Sequence, residues 1–265
     1  MSDLLSQCSD SSYLSDLDDI AQSINLILDK GSPLNDDDFL CLHFNINSIR
    51  ADGRLDELTR LCTGLKCVVL ILSETKIDNT IPNNILKISG FHEPLRRDRN
   101  ISGGGTIIYI AEHLTFKYQT TLQNDMFEHL WVDVKVKGLI YAINALYRPS
   151  TQTSATDYQT FLTAADEILA KLSNHTADNY LIMSDMNFGN CYCKSPILTP
   201  KPLDETAPEL FQSYGYSQLI DIPTRVTDIS TSLIDLVFVT SIDRVTCHGT
   251  IPKIADHEGV FVSLT

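Results

Sequence analysis

Basic side chains are scarce in this chain. Its 265 residues carry 20 Lys and Arg against 34 Asp and Glu, a formal net charge of −14. That balance excludes a protein that holds nucleic acid through a broadly basic surface, because neutralising phosphates favours Lys and Arg. Long apolar runs are lacking too. None reaches the ~18 residues of a membrane span, so no membrane partner is expected. The N-terminal residues do not show the basic-then-apolar layout of a secretory signal. Cysteine is present but forms no framework. The seven cysteines, at 8, 41, 62, 67, 191, 193 and 247, are odd in number and irregularly spaced. Reduced thiols of a cytosolic or nuclear protein are the expectation. Cys41, Cys62 and Cys67 lie in or beside apolar segments, where Cys acts as a small buried hydrophobe. The pair Cys191 and Cys193 has no second Cys/His pair at zinc spacing, so free thiols are expected there.

What is present is an ordinary globular composition, 43% hydrophobic and 8% aromatic, at a length that suits one larger α/β domain. Residues 1–36 read as an acidic extension, partly disordered or a short helix. They hold seven Asp against one Lys and account for −6 of the charge, leaving −8 for the rest. Leu14, Leu17, Ile20, Ile24 and Ile27 fall at helical spacing. The linker "KGSPLNDDD" follows. Residues 37–265 read as one folded domain. Apolar runs predict strands at 39–45, 68–73, 106–110, 130–136, 139–146, 180–183, 233–239 and 260–264. Helical spacing predicts a helix in "DGRLDELTRLC", a long one over 157–172 and a short one near 209–214. "PLRRDRNISGGG" and the Pro-rich stretch 194–208 read as loops. Many strands with few helices suit two packed sheets flanked by helices.

Five strings carry chemistry: "LHFNINSIR", "LILSETKID", "NALYRPS", "LIMSDMNFGN" and "SLIDLVF…ADHEGV". Each sets Asn, Asp, Glu, Tyr or His at or just past the end of an apolar run, as strands of an α/β sheet deliver polar groups to one rim. Carboxylates gathered there repel one another unless a hard divalent cation such as Mg2+ joins them through oxygen ligands. Such a cation also activates water and stabilises phosphoryl charge. The pattern points to metal-assisted phosphodiester hydrolysis. Glu74 follows "VVLILS". Asn45 and Asn47 share one strand face, as do Asp185 and Asn187. Asp235 lies inside an apolar strand and needs a partner. Arg96, Arg97, Arg99 and Arg225 lie in loops, where they suggest local grip on a DNA backbone. Arg148 ends a strand and could hold a phosphate bidentately.

The strings, in this order and with "RRDRN.SGGG" and "PTRVT…STSLIDLVF" between them, resemble the endonuclease domain of non-LTR (LINE-type) retrotransposons. That domain falls within the endonuclease/exonuclease/phosphatase superfamily of apurinic/apyrimidinic endonucleases. The resemblance runs from about Phe39 to Leu264. It implies an α/β four-layer sandwich of two packed mixed β-sheets flanked by helices. It implies Mg2+ as cofactor, with Mn2+ as an alternative, and Glu74 as principal ligand beside Asp256 and Asn45. It further implies phosphate contacts from Asn45, Asn47, Asn187 and Tyr147, water activation by Asp185, and an Asp235–His257 pair whose cationic imidazole stabilises developing charge. The implied reaction nicks one strand of double-stranded DNA and leaves a 3′-hydroxyl that primes reverse transcription. The implied partners are that DNA and a reverse transcriptase domain of the same polyprotein. The implied site of action is the nucleus, after synthesis in the cytoplasm. Three residues depart from the family pattern. Ser184 stands for Gly, Met186 for Phe and Ala255 for Ser, and Ser184 in particular threatens the placement of Asp185. Two rival readings are an attenuated or inactive remnant that only binds DNA or a partner, and a phosphoesterase acting on a substrate other than nucleic acid. The remaining histidines, His43 included, match no catalytic string and are expected to pack or lie at the surface.

Overall fold

The computed structural model describes residues 39–122, 126–188 and 206–265. The expected N-terminal extension, Cys191 and Cys193, and nearly all of the Pro-rich loop lie outside the described residues. The strands in chain order are β1 (Phe39–Asn45), β2 (Val69–Ser73), β3 (Leu95–Arg97), β4 (Thr106–Ile110), β5 (Thr115–Tyr118), β6 (Glu128–Val136) and β7 (Leu139–Tyr147). They continue with β8 (Asn179–Asp185), β9 (Ser217–Gln218), β10 (Arg225–Val226), β11 (Thr231–Ser232), β12 (Asp235–Val239), β13 (Val245–Ile251) and β14 (Gly259–Leu264). The helices are α1 (Arg54–Gly64), α2 (Ala155–Leu172) and α3 (Thr206–Ser213). One six-stranded sheet runs β13-β14-β1-β2-β4-β3 and the other β5-β6-β7-β8-β12-β9. The hairpin β10-β11 stands apart. Both sheets mix parallel and antiparallel pairs, so the expected four-layer sandwich of two mixed sheets is present.

Strand periodicity explains the layering. In β1, Phe39 and Cys41 join the core shared with the second sheet, α2 and α3. Leu40, Leu42 and Phe44 point the other way, onto Leu58, Leu61 and Cys62 of α1. A strand covered on both faces reads as a continuous apolar run, which is why "FLCLHF" and "VLILS" stood out. Helix α2 begins two residues earlier than its apolar spacing predicts. The Ser154 side chain accepts the amide of Asp157 at 3.1 Å, and Asp157 accepts the amide of Ser154 at 3.2 Å. This reciprocal cap satisfies donors that a helix start leaves unpaired. The strands β3, β5, β9, β10, β11 and β13 were not expected. They are short or polar, and pairing with a neighbour rather than intrinsic preference makes them strands. Among the described residues no helix is long and apolar enough to cross a membrane.

Register then assembles a rim. β1 and β2 run parallel with Asn45 opposite Ser73. β7 and β8 run parallel with Tyr147 opposite Asp185. β12 runs antiparallel to β8 and sets Asp235 opposite Asp185. Polar residues from both sheets thus end on the same edge of the sandwich.

Candidate active site

The second sheet supplies a buried row. Asp185 and Asp235 are 1% and 0% exposed, in strands that turn neither backbone into the left-handed region. His257 donates through Nδ1 to Asp235 Oδ2 at 2.8 Å. Burial alone would lower the pKa of His257, but the charge and hydrogen bond of Asp235, reinforced by Asp185 and Asp256, raise it to about 9. Burial, and then the nearby charge of Asp235, pushes Asp185 up to about 8 against the opposing pull of His257 and Asn45. Asn45 joins the two sheets, donating from Nδ2 to Asp185 Oδ2 at 2.8 Å.

The first sheet supplies residues just past its strands. Glu74 follows β2 with φ +52°, and Asn47, Ser48 and Lys76 also have positive φ. Non-glycine residues held in that region are strained, and such strain gathers at functional sites. Two glycines hold the turn: Lys76 N–H donates to the Gly104 carbonyl at 2.9 Å and Thr75 N–H to that of Gly105 at 3.3 Å. Gly105 has φ +91°, and a Cβ on it would lie 2.3 Å from Thr75 Oγ1, so a larger residue would be strained and would force Thr75 to shift. The Tyr147 hydroxyl donates to Glu74 Oε1 at 2.6 Å, a second bridge between the sheets. Burial, followed by that bond to Glu74, raises the tyrosine pKa. Asn187, with φ +50°, donates its backbone N–H to Asp185 Oδ1 at 3.3 Å and its side-chain amide to the Arg148 carbonyl at 2.8 Å.

The arginines divide. Arg148 was expected to touch DNA, and that expectation gives way to a packing role. It is 3% exposed, lies 5.2–5.9 Å from the rings of Phe188, Tyr158 and Phe161, and donates to the carbonyls of Asn187 (3.1 Å) and Gln152. Arg96 is corrected likewise. Its guanidinium is taken by the carbonyls of Ile81 (2.6 Å) and Asp78 (2.7 Å) and by Asp98, where it pins a loop. Arg97 is half-buried in β3. Arg99 and Arg225 remain at the margin of the site. Arg99 lies 5.7 Å over the Tyr147 ring and pairs with Glu128 at 2.9 Å, while Arg225 pairs with Asp256 at 3.5 Å.

Two of the three departures are accommodated. Ser184 has no positive φ and holds regular register between Leu146 and Leu236, so Asp185 stays on the rim. Met186 is fully buried in the core. Nothing in the structure accounts for Ala255.

Sequence reading missed three residues here. Lys76 pairs with Glu74 Oε2 at 3.2 Å and donates to Asn47 Oδ1. Glu128 lies opposite Tyr147 in the same row and accepts the Gly105 N–H. Burial raises its pKa against the pull of Gly105 and Arg99. His43, wholly buried, points at Asp235 across 4.0 Å. The alternation Phe39, Cys41, His43, Asn45 was the available signal, since it puts His43 on the same face as Asn45.

The donor set suits a hard divalent cation. Glu74, Asp185, Asp256 and the Asn45 amide offer oxygens, and Asp256 Oδ1 is buried without a hydrogen-bond partner. The closest grouping among the described residues differs from the expected ligands Glu74, Asp256 and Asn45. Asp185, Asp235 and His257 offer ligand atoms within 4.8 Å of one another.

No family model matches the chain, and no curated protein matches it by sequence. Solved structures do match. The endonuclease domain of TRAS1, a telomere-specific non-LTR retrotransposon, superposes with TM-score 0.65 at 13% identity over 85% of this chain and 98% of that one. The AP endonuclease LMAP from Leishmania major gives 0.69 at 13% identity over 97% and 99%. An AP endonuclease from Archaeoglobus fulgidus gives 0.63 at 16% identity over 85% and 99%. At such identities the likeness is one of architecture, and the chain has the fold of these endonucleases.

Proposed function

We propose that this chain is a Mg2+-dependent endonuclease that hydrolyses one phosphodiester bond in one strand of double-stranded DNA and leaves a 3′-hydroxyl. The observation that carries the reading is the meeting of Asn45, Glu74, Tyr147, Asp185, Asp235 and His257 across two sheets. Mg2+, held by Glu74 with Asp256 and Asn45, would supply charge stabilisation at the phosphate. Asp185 orients the attacking water and takes its proton, a role that requires hydrogen-bond reach of that water. His257, oriented through Nδ1 by Asp235, presents Nε2–H to a phosphoryl oxygen as negative charge builds there. Each amide nitrogen of Asn45 and Asn187 carries two hydrogens. One of these is engaged within the protein, which leaves one for phosphate. Arg99, Arg225 and Lys76 hold the flanking backbone.

The similarity to a retrotransposon endonuclease domain supports a nick that primes reverse transcription by a reverse transcriptase domain of the same polyprotein, acting in the nucleus. The test incubates purified protein with supercoiled plasmid and Mg2+, with a phosphoinositide as control substrate. Open circles whose 3′ ends a polymerase extends are expected, with no phosphate released from the lipid. Phosphate release from the lipid with intact plasmid would overturn the reading.

A further inference from the structure

Asp235 has two carboxyl oxygens and only one is used. Oδ2 accepts from His257, whereas Oδ1 is buried without a partner. His43 Nδ1 lies 4.0 Å from it and is also buried without a hydrogen-bond partner. Both residues are 0% exposed. Two buried groups of this kind in native proteins normally have partners. Here each is the complement of the other, separated by a gap longer than a hydrogen bond. The far side of the His43 ring is already fixed, with Nε2 3.2 Å from the Ser73 hydroxyl. A carboxylate oxygen only accepts, so Nδ1 must carry the proton if it is to pair with Asp235. Nε2 is then an acceptor, and the Ser73 hydroxyl, which can donate or accept, donates to it. A neutral imidazole has one N–H to place. Hydrogen bonds of a catalytic constellation are often long before substrate is bound and close afterwards.

We infer that His43 is a positioning residue: its Nδ1–H, required by the acceptor-only carboxylate, holds Oδ1 of Asp235 so that Oδ2 is aimed at His257. Asp235 is thereby held between two imidazoles, one on β1 and one in the loop before β14 of the facing sheet, and its carboxyl plane cannot rotate away from His257. The kinetic consequence rests on the proposed nuclease activity, but the tautomer does not. Imidazole-15N labelling of the full chain, without metal or DNA, reads His43 directly by NMR. The expected result is a neutral Nδ1–H tautomer in the wild type, with Asp235→Ala shifting it towards Nε2–H. An Nε2–H tautomer in the wild type would overturn the inference even if DNA is nicked. If plasmid is not nicked, the nuclease reading fails while the tautomer still decides this one. Where nicking is observed, His43→Leu should lower kcat about 10- to 100-fold, the range found when groups that orient catalytic residues are removed. KM should be unchanged, and His43→Gln, which keeps a donor, should recover part of the rate. Equal kcat in His43→Leu and wild type would also overturn the inference.

Discussion

The two sheets build their halves of the site differently. In the second sheet Tyr147, Asp185 and Asp235 stand within strands, in register with one another, and are almost wholly buried. In the first sheet Glu74, Lys76 and Asn47 stand just beyond the strands, half-exposed or exposed, with left-handed backbone. One half is placed by the hydrogen-bond ladder, which leaves little freedom. The other is placed by local strain and by the carbonyls of two glycines. The buried half suits groups whose charge must be fixed and dry, because electrostatic interactions strengthen away from water. The outer half suits groups that meet a cation and a substrate arriving from solvent.

Breaking the buried half should cost most. Asp235→Asn is expected to slow nicking by about 10³-fold or more, as when a fixed charge-stabilising group is removed. It should also bring the His257 pKa back down. A pH–rate profile and NMR titration of His257 would check both. Arg148→Ala should destabilise the fold by about 3 kcal/mol, because carbonyls and aromatic faces lose their buried partner. Arg99→Ala and Arg225→Ala should instead leave stability within ~0.5 kcal/mol and weaken DNA binding at low salt. Urea melts beside binding titrations separate the two classes.

Proton linkage gives a third contrast. His257 has its folded pKa raised from 6.5 to about 9. Its contribution is therefore full below about 6.5 and is lost as pH rises through about 9, at ~1.4 kcal/mol per decade and on the order of 3 kcal/mol in all. Asp185, raised to about 8, acts in the same direction. The cation-free wild type should lose stability between pH 6.5 and 9 more steeply than His257→Asn does. Equal slopes would contradict the Asp235–His257 pairing.

The outer half should be more forgiving. Gly105→Ala is expected to cost about 1–3 kcal/mol through its positive φ and its contact with Thr75, and to weaken Mg2+ binding by displacing Glu74. Calorimetry of both quantities tests the link. The smallest effect belongs to Ser184→Gly with Ala255→Ser. Regular register at Ser184 leaves little to repair, so the rate should hold or rise by no more than about tenfold, or ~1.4 kcal/mol. A large loss would show that neighbours have adapted to Ser184 and Ala255.

Much of this contrast was legible in the sequence. Apolar runs marked the strands, and polar residues at their ends marked the rim, because strand geometry forces that arrangement. Arg148 was not legible. The rings that bury it, Tyr158, Phe161 and Phe188, come from α2 and the loop after β8, and a strand-end Arg reads alike whether dry or wet. His43 was missed for a related reason. Its face was readable from alternation, but its partner Asp235 belongs to the other sheet, and no local pattern reports how two sheets stack. The short strands β3, β10 and β11 owe their form to neighbours and carry almost no signal of their own.

The central claim is a single catalytic site in which Glu74 holds a divalent cation opposite the buried Asp185, Asp235 and His257. Its most direct test is plasmid nicking by wild type and Glu74→Gln across a Mg2+ titration, with circular dichroism to confirm that both are folded. The predicted result is relaxation to open circles with extendable 3′ ends in the wild type, and none in Glu74→Gln at any Mg2+ concentration. Nicking by Glu74→Gln at the wild-type rate in saturating Mg2+, or a folded wild type that leaves the plasmid supercoiled, would contradict it.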